Sequence, residues 1–75
     1  MPKLPRVTPR EMLRALQRAG FREDRRRGSH LTLIQPSSGR HTTLSMHGGT
    51  LKTGITHGIL NQAGLSVEEF IELLK

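Results

Sequence analysis

The sequence predicts an α+β domain of order α-β-β-β-α, with a three-stranded antiparallel sheet, helices on one face and a short C-terminal helix. Three observations carry that expectation. Helix-entry and helix-stop signals bracket residues 9–19 and recur around 64–69. Residues 21–47 change from a helical period to alternation. Finally, 75 residues with an aromatic content of 3% leave room for one domain, residues 1–75, and one thin core of Leu, Ile, Met and Val.

MPKLPRV (1–7) reads as an extended lead-in held open by Pro2 and Pro5. Thr8 is then a good N-cap, Pro9 suits the first helical position, and Glu11 completes a T-x-x-E capping box, with Val7 and Met12 spaced for a hydrophobic staple. Gly20 supplies a left-handed stop, and Leu16 and Phe21 are spaced for a Schellman contact, so the first helix runs from about residue 9 to 19. At 100° per residue Met12, Ala15, Leu16 and Ala19 share one side, and Arg10, Arg14 and Arg18 form a stripe on the other. Phe21 to about Arg26 can form a polar strand. In residues 30–35, Leu31 and Leu33 share a face opposite His30, Thr32 and Ile34. After the PSSG turn (36–39), Arg40 to Met46 put Thr42, Leu44 and Met46 on one face and His41, Thr43 and Ser45 on the other. Strands with one apolar face need a cover, which the flanking helices provide. HGGTLKTG (47–54) reads as a flexible connection, and Ile55, Ile59, Leu60 and Ala63 as the apolar stripe of a second helix ended by Gly64. SVEE (66–69) repeats the capping box and opens a last helix to Lys75.

Charge is uneven. Residues 1–52 carry eleven Lys or Arg against three Asp or Glu, a net +8, whereas 53–75 carry a net −2. That asymmetry suggests a face for a polyanion. The absence of Cys excludes disulfides and thiolate chemistry. No apolar run approaches a membrane span and the N-terminus lacks the apolar core of a signal peptide, so the expectation is a cytoplasmic protein. His41, His47 and His57 lack companion acids at metal-ligand spacing, so neither a metal nor a cofactor is expected. HGGTLKTG lacks the spacing of a P-loop, and Glu68, Glu69 and Glu72 form a solvated helix face rather than a catalytic carboxylate pair.

Arg25-Arg26-Arg27-Gly28-Ser29-His30 is the one constellation that could carry chemistry. Arginine forks match phosphate oxygens, glycine permits a tight turn or a close approach, and imidazole ordinarily titrates near neutrality. On residue types alone it reads either as a solvated basic hairpin or as a site. If the polyanion is RNA, one base can draw the proton from a 2′-hydroxyl while cations stabilise the phosphate under attack, with no metal needed.

Helix, three antiparallel strands and helix is also the order of double-stranded-RNA-binding domains. The stretches TPREMLRALQRAGF (8–21), RRGSHLTLIQP (26–36) and SMHGGTLKTGITHGILNQAGLSVEEFIELL (45–74) go further and resemble the HicA family of small toxins from toxin–antitoxin pairs. The resemblance implies a ribosome-independent mRNA endoribonuclease, neutralised by a HicB antitoxin that covers its active site. The family's catalytic histidine, in a G-S-H motif, falls on His30. Family members often carry aromatics after that histidine and a basic residue early in the second helix, where this chain has Leu31, Leu33 and His57. The expected site is therefore His30 as general base or acid, with Arg26, Arg27, Gly28, Ser29 and Lys52 contacting RNA. Two other readings stay open: a non-catalytic RNA-binding module using the Arg10–Arg14–Arg18 stripe, and a basic surface that docks an acidic protein.

Overall fold

The computed structural model describes residues 3–75; Pro2, at the start of the expected lead-in, lies outside the described residues. The order is α1 (Pro9–Arg18), β1 (Arg22–Arg27), β2 (His30–Ile34), β3 (His41–Ser45), α2 (Thr53–Ala63) and α3 (Val67–Leu74). The strands form one antiparallel sheet in the order β1-β2-β3.

Local signals set the helix ends. Thr8 and Glu11 form a reciprocal capping box at α1, and Ser66 and Glu69 form another at α3. Bonds from the Thr8 backbone N–H and then the Thr8 side chain hold the Glu11 carboxyl below its ordinary range, and Ser66 does the same to Glu69. Both Schellman motifs form. Gly20 stands at φ 95° while the Phe21 N–H donates to the Leu16 carbonyl at 2.9 Å. Gly64 stands at φ 73° while Leu65 donates to Leu60 at 2.9 Å.

The core lies on one side of the sheet. Leu31, Leu33 and Leu44 are buried with Met12 and Leu16 of α1, Ile59 and Leu60 of α2, and Phe70 of α3. Each such side chain contributes roughly 1.5–3 kcal/mol on burial. Thr42 joins this layer, and its Oγ1 donates to Gln62 Oε1 at 2.6 Å, which satisfies a hydroxyl that burial alone would destabilise.

Three details depart from expectation. Ile55 is 53% exposed, and Thr56 takes its place in the core at 1%. Ile59, Leu60 and Ala63 fix the direction of the buried stripe. At 100° per residue, position 56 falls within about 15° of its centre and position 55 nearly 90° away, so helical phase outweighs side-chain hydropathy. Within the loop expected to be flexible, Leu51 is buried and its N–H donates to the Val7 carbonyl at 2.8 Å, which fastens the lead-in to the approach of α2. Arg18, a member of the expected polyanion stripe, instead donates from Nη1 to the carbonyls of Leu73 and Lys75 at 2.8 and 2.7 Å. It caps the C-terminal end of α3, whose last carbonyls have no partner within the helix.

Candidate functional site

The turn between β1 and β2 contains only Gly28 and Ser29. Gly28 stands at φ 60° and no other residue type in the described chain has positive φ, the pattern of a type II′ hairpin with glycine first. Nothing lies within 4 Å of where a Cβ on Gly28 would sit, so the turn conformation rather than crowding requires glycine there.

A two-residue turn fixes the register. Arg27 pairs with His30, Arg26 with Leu31 and Arg25 with Thr32. On the other side His30 pairs with Ser45, and the Met46 N–H donates to the Ser29 carbonyl at 2.7 Å. His30 is thus held at the first residue of a central strand, between two paired neighbours. It is exposed, on the face that no helix covers, as alternation from the buried Leu31 requires.

Residues directly opposite in a ladder share a face. Arg27 and Arg25 therefore stand with His30 on the uncovered face, and Arg26 stands with Leu31 on the other. The expected trio of Arg26, Arg27 and His30 is split: Arg26 points away, with Nη2 3.5 Å from Glu23 Oε1. A bulge at Asp24 then shifts the phase, so that Glu23 pairs with Leu33 and Arg22 with Ile34. A regular ladder would have carried Glu23 onto the His30 face; the bulge carries Arg22 there.

Lys52 precedes the first turn of α2, exposed and extended, and that helix begins without a side-chain cap. At the far end of α2, Gln62 accepts from Thr42 and from Arg40 Nη1, near the start of β3. Helix and strand therefore run in opposite directions, which brings Lys52 and the helix N-terminus to the Ser45–His30 end of the sheet. The uncapped N–H groups there and the lysine charge both favour an anion.

The expected site left out several members of this face. Arg22, Arg25, His41 and Thr43 lie on it, and the Thr32 and Thr43 hydroxyls meet across β2 and β3 at 3.4 Å. Arg25 was legible by counting back from His30 across a two-residue turn; Arg22 was not, because nothing local announces the bulge. Three concave places leave His30 out of their lining, although one of them shares His41 and Thr43 with its face. One is lined by Arg40, His41, Thr43 and Gln62, another by Gln35, Gly64, Glu69 and Glu72, and a third by Arg6, Glu11, Arg14 and Leu73. His30 itself is exposed on the uncovered side of the sheet, a surface open to a polymer. Among the described residues no three His, Asp or Glu side chains converge as a metal-ligand set, and no helix is long and apolar enough to cross a membrane.

No curated protein matches the chain. A family model does: the HicA toxin of bacterial toxin–antitoxin systems matches residues 9–65, from the first residue of α1 through the Schellman motif that ends α2. That span contains the capped helix, the G-S-H turn and the whole sheet. The chain belongs to the HicA toxin family, the toxin half of a bacterial toxin–antitoxin pair.

Proposed function

We propose that this toxin is a ribosome-independent mRNA endoribonuclease that works through His30 without a metal ion. The observation that carries the reading is the exposed His30, pinned by a two-residue turn directly opposite Arg27 on the uncovered side of the sheet. In the proposed step the His30 imidazole takes the proton of a 2′-hydroxyl, and the 2′-oxygen bonds to the adjacent phosphorus. The bond from phosphorus to the 5′-oxygen breaks, that oxygen takes a proton from water and His30 returns its own to solvent, leaving a 2′,3′-cyclic phosphate and a 5′-hydroxyl. Arg27 and Lys52 stabilise the charge that builds on the phosphate oxygens, Ser29 offers an orienting donor, and Gly28 lets the RNA backbone approach the turn. A HicB-like antitoxin is the proposed partner, and cytoplasmic mRNA the proposed substrate.

The test is purified protein on an end-labelled RNA with EDTA present, wild type beside His30→Ala. The expected result is cleavage by the wild type, its loss in the variant, and RNA binding unchanged. Cleavage that survives His30→Ala or demands added metal would overturn the mechanism. No cleavage by the wild type, with binding intact, would leave a non-catalytic RNA-binding module of the same fold.

A further inference from the structure

We propose that single-stranded RNA crosses the uncovered face of the sheet along a row of three arginines, Arg22, Arg25 and Arg27, that ends beside His30. The proposal rests on the ribonuclease reading for its ligand and adds the path, the residues that form it and the mode of recognition.

Register sorts the paired charges of β1, leaving only Asp24, the bulge residue, without a ladder partner. The three arginines that pair with Ile34, Thr32 and His30 share the uncovered face, and each is exposed. Among the described residues none of the three makes a salt bridge, whereas Arg26, on the other face, is matched by Glu23. The bulge at Asp24 completes the sorting by sending Glu23 across to Arg26 and bringing Arg22 to the arginine side. One face of a single strand thus gathers three cations beside the imidazole, complementary to a chain of phosphates.

Spacing fits an extended strand. Neighbouring positions on one face are two residues apart, roughly 6.6 Å, so the arginine row spans about 13 Å between its pairs with His30 and Ile34, allowing for the bulge. A duplex read through its grooves would need far more: a double-stranded-RNA-binding domain contacts about 16 base pairs across two minor grooves. Next to the row, the Thr32 and Thr43 hydroxyls lie within 3.4 Å of each other and can pair with ribose hydroxyls or base edges.

Recognition of bases is constrained too. The chain has no Trp or Tyr, and Phe21 and Phe70 are both buried at 3% and 0%. No Phe, Tyr or Trp is exposed for bases to stack on, so planar contacts fall to guanidinium groups and to the imidazoles of His30 and His41. Binding is thus dominated by phosphate contacts, with steep salt dependence and little discrimination among base sequences.

The experiment measures anisotropy of a fluorescein-labelled single-stranded oligoribonucleotide across a salt series. Every protein carries His30→Ala, so that the RNA stays whole. Arg25→Gln and Arg27→Gln together are expected to flatten the slope of log K against log salt by about 1.4, from roughly 0.7 per phosphate contact on a single strand. Arg26→Gln, the same charge change one residue away, is expected to leave the slope unaltered. Equal effects from Arg25→Gln and Arg26→Gln would overturn the path, as would a larger loss from Arg10→Gln with Arg14→Gln on α1. Tighter binding of duplex than of single strand would also overturn it. Cleavage by protein with His30 intact is scored separately: a path that holds without cleavage sinks only the ribonuclease reading, and cleavage with no face preference sinks only the path.

Discussion

Replacing Gly28 with alanine tests whether the type II′ turn positions His30. The structure isolates the cost. An added Cβ meets nothing within 4 Å, so no clash contributes, and the penalty is that of holding an L-residue at φ 60°. That penalty is about 1–2 kcal/mol. A domain of this size has about 4–11 kcal/mol of total stability, taking 0.05–0.15 kcal/mol per residue, so the loss is substantial. It corresponds to a Tm fall of roughly 5–15 °C, at about 4–8 °C per kcal/mol for a small domain. Thermal unfolding followed by circular dichroism reads the shift, and the proposed RNA cleavage, assayed at a temperature where the variant is folded, reads the position of His30. Gly64→Ala offers an internal comparison. There φ is 73° and the added Cβ would lie 2.7 Å from the Arg40 guanidinium, so strain and displacement of Arg40 add together. A synthetic chain with D-alanine at position 28, which prefers positive φ, should match or exceed wild-type stability. A Gly28→Ala protein melting within 2 °C of wild type would refute the turn assignment, that margin being about a quarter to a half of 1 kcal/mol.

The two capping boxes predict an acid limb. Because Glu11 and Glu69 are held below their ordinary value of 4.5 in the folded state, their contribution is fully present above it and is lost as pH falls through the lower, folded value. Thermal melts at pH 3 to 6 should show wild type losing stability below about 4.5, with Glu11→Gln plus Glu69→Gln flattening that window; an unchanged profile would exclude the caps as its source. Arg18→Gln removes both bonds to the α3 carbonyls, at 2.8 and 2.7 Å, and is expected to cost on the order of 1 kcal/mol. Amide exchange should accelerate in α3 more than in the sheet, and uniform acceleration would show that the contact is not local to that helix.

Much of the architecture was legible because it rests on short-range chemistry. Thr8, Glu11 and Gly20 announce α1 within a dozen residues, and Ser66 with Glu69 announces α3. The orientation of His30 followed from one neighbour, since burial of Leu31 leaves an adjacent strand residue on the opposite face. What escaped depended on longer range or on phase. Arg26 looked equivalent to Arg27 by proximity, yet parity across the turn separates them. Arg22 reaches the uncovered face only because one residue is inserted at Asp24, and that decision belongs to the pairing of two strands. Thr56 displaced Ile55 because the phase of a helix is set by its whole stripe and not by its most apolar member. Arg18 belonged to a neat cationic stripe until Leu73 of α3, 55 residues later in the chain, arrived to use it.

Covering the sheet on one side only gives its strands two independent audiences. Odd positions of β2 answer to the interior, where Leu31 and Leu33 tolerate almost no change of volume. Even positions stand on the uncovered side, where His30 is exposed and Thr32 and Ile34 are half-buried. Under the proposed function, drift at His30 or Thr32, or at Thr43 beside them on β3, retunes the molecule while leaving it folded, whereas drift at Leu31 or Leu33 weakens the core. A lineage of such chains can explore activities, including none, without passing through unfolded ancestors, because the alternation of one strand keeps the two kinds of change apart.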